Sequence, residues 1–167
     1  LQRQMCIRDS VMAAVKKAGG ALQHASDALK NDKEVVLAAL HSFGGSLEYA
    51  SDNLKKDKEV VLAAVNKNGQ ALKYASAALR DNKEVVMAAV KNDGHALAYA
   101  SDDLKKDKEV VMAAVKEDCW ALYYAGRTMV LEHVSKNGRY LCYASAALKN
   151  DREVVMAALQ QYGCYVM

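Results

Sequence analysis

The sequence predicts an all-α fold, a right-handed or gently curved α-solenoid of short helix pairs. Three observations carry this. A unit reading DKEVVLAAVxxNGxALxYASxxLKx recurs every 25 residues, at Asp32–Lys56, Asp57–Asp81 and Asn82–Lys106 without a gap. Self-similarity at a short fixed period marks a stacked array rather than a globule built round one site. Proline is absent and Ala, Val, Leu and Lys dominate, which favours helices. A leucine-rich repeat has a similar period but needs LxLxxN on a strand, and that motif does not occur.

The register extends both ways. Residues 7–31 form a first copy, followed by 32–56, 57–81 and 82–106, a short copy at 107–125, then 126–150 and a partial copy at 151–167. Together they make one repeat domain, 7–167. The fifth copy has only 19 residues and lacks the SxxLKK segment, so that segment reads as a separable connector. Residues 1–10, LQRQMCIRDS, join the repeat pattern only at their end. The run QMCIRDS resembles translated adapter sequence, with a tag remnant as the second reading, and no function is assigned to Cys6.

Each unit starts at Asp or Asn (Asp32, Asp57, Asn82, Asp107, Asp151), residues whose side chains accept backbone N–H groups at a helix start. A glutamate two residues later suits the positive end of the helix dipole. VVLAAV follows, and by periodicity alone six such residues fit a buried strand equally well. The Ala pair, the Asp cap and the following glycine decide for helix. Gly19, Gly44, Gly69, Gly94, Gly138 and Gly163 stand where a left-handed glycine ends a helix. The ALxYA segment reads as the second helix, with Ala, Leu and Tyr on one face. The serine after it either caps a further short turn or lies inside a continuing helix. Helices this short are marginal alone, so stacking must hold them, and the Ala pairs allow close approach.

These residues point to a family. DKEVVLAAVNKNGQALKYASAALR and its copies resemble the helical repeats called domain of unknown function 4116, over Val11–Leu159. The resemblance implies a tandem all-α repeat, found in bacterial and protist proteins, with no established catalytic residues. The chain departs from the pattern at Cys119, which replaces a glycine, and in the sixth copy, which opens GRTMVLEHV.

Composition narrows the function. A net charge of +3, from 23 basic and 20 acidic side chains, is too mild for a nucleic-acid face, so nucleic acid is only an alternative partner. Apolar runs such as Val35–Leu40 are too short to span a bilayer. Cys6, Cys119, Cys142 and Cys164 show no paired spacing and read as reduced thiols of an intracellular compartment. Neither phosphate-loop, dinucleotide, zinc nor nucleophile-elbow motifs occur. His24, His41, His95 and His133 fall at four different repeat positions, so no metal or other cofactor is expected. Glu132 and His133 replace the Ala pair. They suggest an acid–base pair or, more plainly, a face uncovered where the short copy opens the stack. The tyrosines at 49, 74, 99, 124 and 143 read as core with hydroxyls at the rim rather than a base-stacking platform. The lysines that end each unit read as solvated charge beside Asp and Glu.

The sharper signal is variation inside the frame. Two positions three residues apart in the second helix carry Gln70 and Lys73, His95 and Ala98, Trp120 and Tyr123, then Arg139 and Cys142. Stacked copies would align them into a stripe, the surface that solenoids use for partners. Trp, Tyr and Arg are enriched at binding hot spots. A second reading has Trp120 filling the gap left by the missing connector. The expected function is a non-catalytic scaffold for protein partners, an accessory subunit of a larger assembly such as an organellar or membrane complex. The apolar ending YGCYVM, with Met167 inside a second helix, fits docking at that end or a longer array.

Overall fold

Local capping chemistry sets the frame. In the computed structural model, which describes residues 2–162, a full unit builds three pieces: a ten-residue α-helix, a six-residue 3-10 helix and a short turn. The main helices, one per copy, are α1 (Gln2–Lys17), α2 (Lys33–Ser42), α3 (Lys58–Lys67), α4 (Lys83–Asn92), α5 (Lys108–Glu117), α6 (Arg127–Lys136) and α7 (Arg152–Tyr162). α1 includes most of the non-repeat segment in one unbroken helix. Asp57 accepts from the N–H groups of Glu59 and Val60 at 2.9 and 3.2 Å, and the other Asp caps repeat this. Asn82 accepts from Val85 at 3.2 Å. The sixth copy has Gly126 at this position and no side-chain cap.

Two expectations are corrected. The second helix is not α but 3-10, as at Gly69–Tyr74 and Gly94–Tyr99. With three residues per turn, side chains at i and i+3 eclipse. Gly69 and Leu72 therefore share the buried line, and Gln70 and Lys73 share the outer one. The glycines, in turn, are not left-handed caps, since no residue among those described has positive φ. The main helix ends instead at the residue before, as at Asn68, whose backbone is extended (φ −148°, ψ 105°). The serine question resolves toward a separate turn, for example Ala77–Arg80 after Ser76. Gly163, Cys164 and the YGCYVM ending with Met167 lie outside the described residues.

The glycines are needed for space. A Cβ on Gly69 would stand 2.5 Å from the Ala89 carbonyl oxygen, and one on Gly94 would stand 2.6 Å from that of Ala114. In copies one to four the 3-10 helix thus presses its first residue onto the next copy's main helix. Of each Ala pair only the second (Ala39, Ala64, Ala89, Ala114) is fully buried; the first is half-exposed. Val and Leu fill the rest: Val60, Val61, Val65 and Leu72 have no exposed surface, and their counterparts in copies two and four repeat this. The tyrosines of the ladder are half-buried against this core.

Polar rungs also join the copies. The cation at the second position of each of the first six copies reaches acids of the next one. Lys33 Nζ lies 2.9 Å from Asp57 and 2.6 Å from Glu59, and Lys83 pairs likewise with Asp107 and Glu109. Arg8 meets Asp32 and Glu34, and Arg127 meets Asp151 and Glu153. Lys58 has Glu84 alone, because the cap there is Asn82, and Lys108 has Glu132 alone. These contacts hold Asp32, Asp57, Asp107 and Asp151 below the usual carboxylate range, the last at about 2, chiefly by hydrogen bonds from the paired cation. Backbone bonds add to them: the Ser76 N–H donates to the Lys55 carbonyl and that of Ser101 to Arg80, both at 3.0 Å.

The stack changes at the short copy. Main helices α1 to α5 lie side by side in sequence, and so do α6 and α7, but α6 does not pack along α5. The 3-10 helices remain in contact throughout. Gly126 takes the serine's place, its N–H donating to the Lys105 carbonyl at 2.9 Å, and α6 starts at once. Losing the connector therefore opens the array on its α-helical side and leaves it closed on its 3-10 side. Met112 on α5 is 49% exposed, whereas its counterpart Met87 is half-buried. Cys119 fits the same geometry: its 3-10 helix packs on its own α5 but α6 does not pack on it as the next main helix does in copies one to four, so a side chain is admitted where those copies have glycine.

Candidate partner-binding surface

The outer line of the 3-10 layer contains every residue of the predicted stripe. Its residues project because the alternate line (Gly69, Leu72; Gly94, Leu97; Leu122) is drawn into the core. Extended residues at the start of each 3-10 helix fix its direction. Asn68, Asp93, Asp118 and Asn137 each accept the N–H two residues on, at 2.8–3.0 Å.

Along the line the chemistry divides. Gln70 Nε2 donates to Asp93 at 2.9 Å, and His95 Nε2 lies 3.0 Å from Asp118. Both side chains therefore tie one copy to the next. Lys73 Nζ lies over the Tyr74 ring at 4.6 Å, and its pKa is raised, first by its hydrogen bond to the Tyr74 hydroxyl. A polar hollow of about 530 Å³ beside this half is lined by Lys67, Asn68, Asn92, Asp93, Glu117 and Asp118 among others. Its acids Asp93 and Asp118 are the ones that Gln70 and His95 use.

At the fifth and sixth copies the line becomes aromatic. Trp120 is 53% exposed and Tyr123 is 49% exposed. Trp120 stands edge-on to Tyr143 with ring centres 5.4 Å apart, and Tyr123 to Tyr124 at 5.2 Å. Tyr143 continues to Tyr140 at 6.4 Å and Tyr140 to His133 at 5.8 Å. The chain of rings crosses the junction where α5 and α6 part. Trp120 thus braces the neighbouring 3-10 helix and offers a free face to solvent; it does not fill the place of the missing connector. Arg139 and Cys142 are exposed on the next helix, beside Tyr143. The Tyr143 hydroxyl is pushed up by the Cys142 and Cys119 thiols and by burial. Cys6, Cys119 and Cys142 are free thiols.

Glu132 and His133 lie on α6 near the same junction, half-exposed. Glu132 accepts from Lys108 at 2.6 Å and Lys136 at 2.9 Å, which hold it down at about 2. His133 Nδ1 is 2.8 Å from the Met129 carbonyl oxygen, the spacing of an N–H donated within its own helix. Among the described residues no group of three or more His, Cys, Asp or Glu converges as metal ligands would, and no helix is long and apolar enough to cross a membrane.

What sequence reasoning missed is the ring chain through Tyr140 and Tyr143. The signal was present, because Tyr140 stands where other copies have Ala or Ser.

A family model described as Domain of unknown function (DUF4116) matches residues 8–47, 32–80, 82–129 and 127–166. Each match takes in about two copies, and the last begins directly after the short copy. No curated protein and no solved structure matches the chain.

Proposed function

The chain belongs to the DUF4116 family, and on that footing we propose that it is a helical-repeat scaffold that binds a protein partner, as an accessory subunit of a larger assembly. The observation that carries this is the exposure of Trp120 and Tyr123 on an otherwise polar line. Large aromatics held rigidly by neighbouring rings present apolar area at little entropic cost, which is why such residues anchor interfaces. Arg139 supplies a charged neighbour. Gln70, Lys73 and His95 form the polar extension of the same surface, with Gln70 and His95 already engaged between copies.

Two other readings draw less support. A nucleic-acid array would meet phosphates through the lysines that end each unit, such as Lys55, Lys56, Lys105 and Lys106, but the helix-opening Lys33, Lys58, Lys83 and Lys108 face acids of the next copy and the net charge is only +3. An acid–base site at Glu132 needs a carboxyl that exchanges its proton near neutral pH, and two lysines hold this one ionised.

The test is cross-linking and affinity capture from the native extract with three chains: the natural one, W120A/Y123A and Q70A/K73A. The aromatic pair should reduce recovery of specific partners about tenfold or more, as loss of a hot spot does, and the polar pair by much less. Equal recovery with all three chains would refute the placement of the surface. Retention on heparin that falls steeply with salt would favour nucleic acid instead.

A further inference from the structure

The polar hollow beside the 3-10 layer has an exposed aromatic side chain at each end. At one end is Phe43, 53% exposed. It stands where later copies have Asn68, Asp93 and Asp118, and it cannot accept a backbone N–H as they do. Its ring folds over Gly45 instead, so that a Cβ added there would stand 2.6 Å from the ring. Gly45 holds the outer-line position that Gln70, His95 and Trp120 fill further on. Phe43 thus supplies an aromatic ring to the outer line in the second copy. Trp120 does so in the fifth, two residues after Asp118 of the hollow's lining. Between the two rings the hollow is acidic: Asp93, Glu117 and Asp118 line it, against a single lysine, Lys67, and His41. None of these acids meets a lysine or arginine among the described residues. Asp93 accepts from Gln70 and from the His95 N–H, Asp118 accepts from the Trp120 N–H and faces His95 Nε2, and Glu117 stands exposed. The acids of the rungs, by contrast, have their cations.

We infer that the hollow receives an extended, basic segment of the protein partner, with apolar side chains of that segment seated on Phe43 and Trp120. The inference rests on the protein-binding reading above and names what the partner presents. Charge complementarity selects the occupant. Carboxylates without a cation attract lysine and arginine and repel acidic segments and phosphates. Span selects its form. Phe43 and Trp120 stand three copies apart, and neighbouring helices pack about 8–10 Å from each other, so the two rings are about 27 Å apart. An extended chain crosses that distance in about eight residues, at about 3.3 Å each. A hollow of about 530 Å³ drawn out over that length is too narrow for a helix about 10 Å across. The segment therefore carries its apolar residues about eight apart, with cations between them over Asp93, Glu117 and Asp118. The two rings act as anchors, and the acids set the register and the sign of what lies between.

The test is fluorescence anisotropy of two labelled ten-residue peptides with the full chain. Both have leucine at the first and ninth positions; one has four lysines between, the other four glutamates. The lysine peptide should bind, and less tightly as salt rises, and the glutamate peptide should bind at least about tenfold more weakly. Phe43→Ala and Glu117→Lys alter exposed side chains, and each is checked for unchanged helical content. Each should weaken the lysine peptide about tenfold. Met112→Ala, exposed on α5 but outside the hollow, should leave its binding unchanged. Equal affinity for the two peptides, indifference to both Phe43→Ala and Glu117→Lys, or no binding of the lysine peptide up to near-millimolar concentration would overturn the inference. The capture experiment above separates this from the broader reading. If W120A/Y123A loses partners while F43A and E117K keep them, the occupant of the hollow is wrong and the aromatic surface stands. If all three chains keep them, both fall.

Discussion

Replacing Gly69 by alanine tests whether the repeat glycines serve close approach rather than backbone conformation. The added methyl would stand 2.5 Å from the Ala89 carbonyl oxygen, 2.9 Å from Asp93 Cβ and 3.0 Å from the Asp93 nitrogen. Two of these are backbone atoms of the next copy, so no side chain can swing aside. Ordinary contact begins near 3.4 Å, so α4 must retreat by about 0.9 Å and loosen its seat on the 3-10 helix. Overpacking of this kind costs about 1–3 kcal/mol, and backbone contact puts this site at the upper end. Reduced freedom of the unfolded chain returns about 0.4–1 kcal/mol. The net loss is about 2 kcal/mol, or about 4–8 °C in midpoint for a chain of this length. The assay is thermal and urea unfolding followed by circular dichroism, with two internal controls. Gly20, next to Gly19, has nothing within 4 Å of an added Cβ, so Gly20→Ala should be neutral or slightly stabilising. Cys119→Ala should also be nearly neutral, because the helix that would press on it is absent. Gly69→Asn separates the two explanations. A left-handed cap tolerates Asn, whereas a close approach rejects it as firmly as Ala. A Gly69→Ala chain within about 0.5 kcal/mol of the natural one would refute the packing argument, and so would a tolerated Asn.

Two further outcomes follow from the same geometry. The Ser46 hydroxyl is buried with no hydrogen-bond partner, at a position held by alanine in copies three to five. Ser46→Ala should therefore raise stability by about 1 kcal/mol in urea unfolding. The rungs predict acid sensitivity with a definite sign. The paired carboxylates have lower pKa values folded than unfolded, so below their ordinary range the unfolded chain binds more protons. Their stabilisation is complete above about pH 4–5 and is lost as pH falls toward about 2, the value for Asp151 and Glu132. Unfolding midpoints measured from pH 7 down to pH 2 should show this window, and salt should flatten it. Asp107→Asn keeps the helix cap, as Asn82 does naturally, and should cost less than Asp107→Ala, which adds about 1 kcal/mol for the lost cap.

How much of this was legible depends on whether the cause was local. The period, the Asp caps and the apolar VVxAxV face act within one copy, and each forms as read. The outer pairs were legible as well, because residues three apart share a face in an α-helix and eclipse in a 3-10 helix. The 3-10 geometry itself was not legible. ALxYA suits either helix, and the choice falls to how closely the first residue must approach the next copy. The glycine was misassigned for that reason: a C′ glycine and a close-approach glycine look identical until the neighbouring carbonyl is in place. Cys119 was the clue, since a required left-handed residue would not readily become cysteine. The missing connector was plain in the sequence. That its loss would part α5 from α6 yet keep the 3-10 layer closed depends on Gly126 taking over the serine's backbone bond to the preceding copy.

The rungs have a consequence for how such a chain changes length. All but one run in the same sense, from the cation at the second position of one copy to acids at the head of the next main helix, and only Lys108 meets an acid further along, Glu132. A whole copy can therefore be duplicated or excised in the gene and the chain closes again, because the new neighbours bring the matching halves. The short copy marks the exception: six residues are gone, and Lys108 meets Glu132 in the middle of α6, while Arg127 meets Asp151 and Glu153 again at the next junction. The sequence of each junction is then constrained on both sides at once.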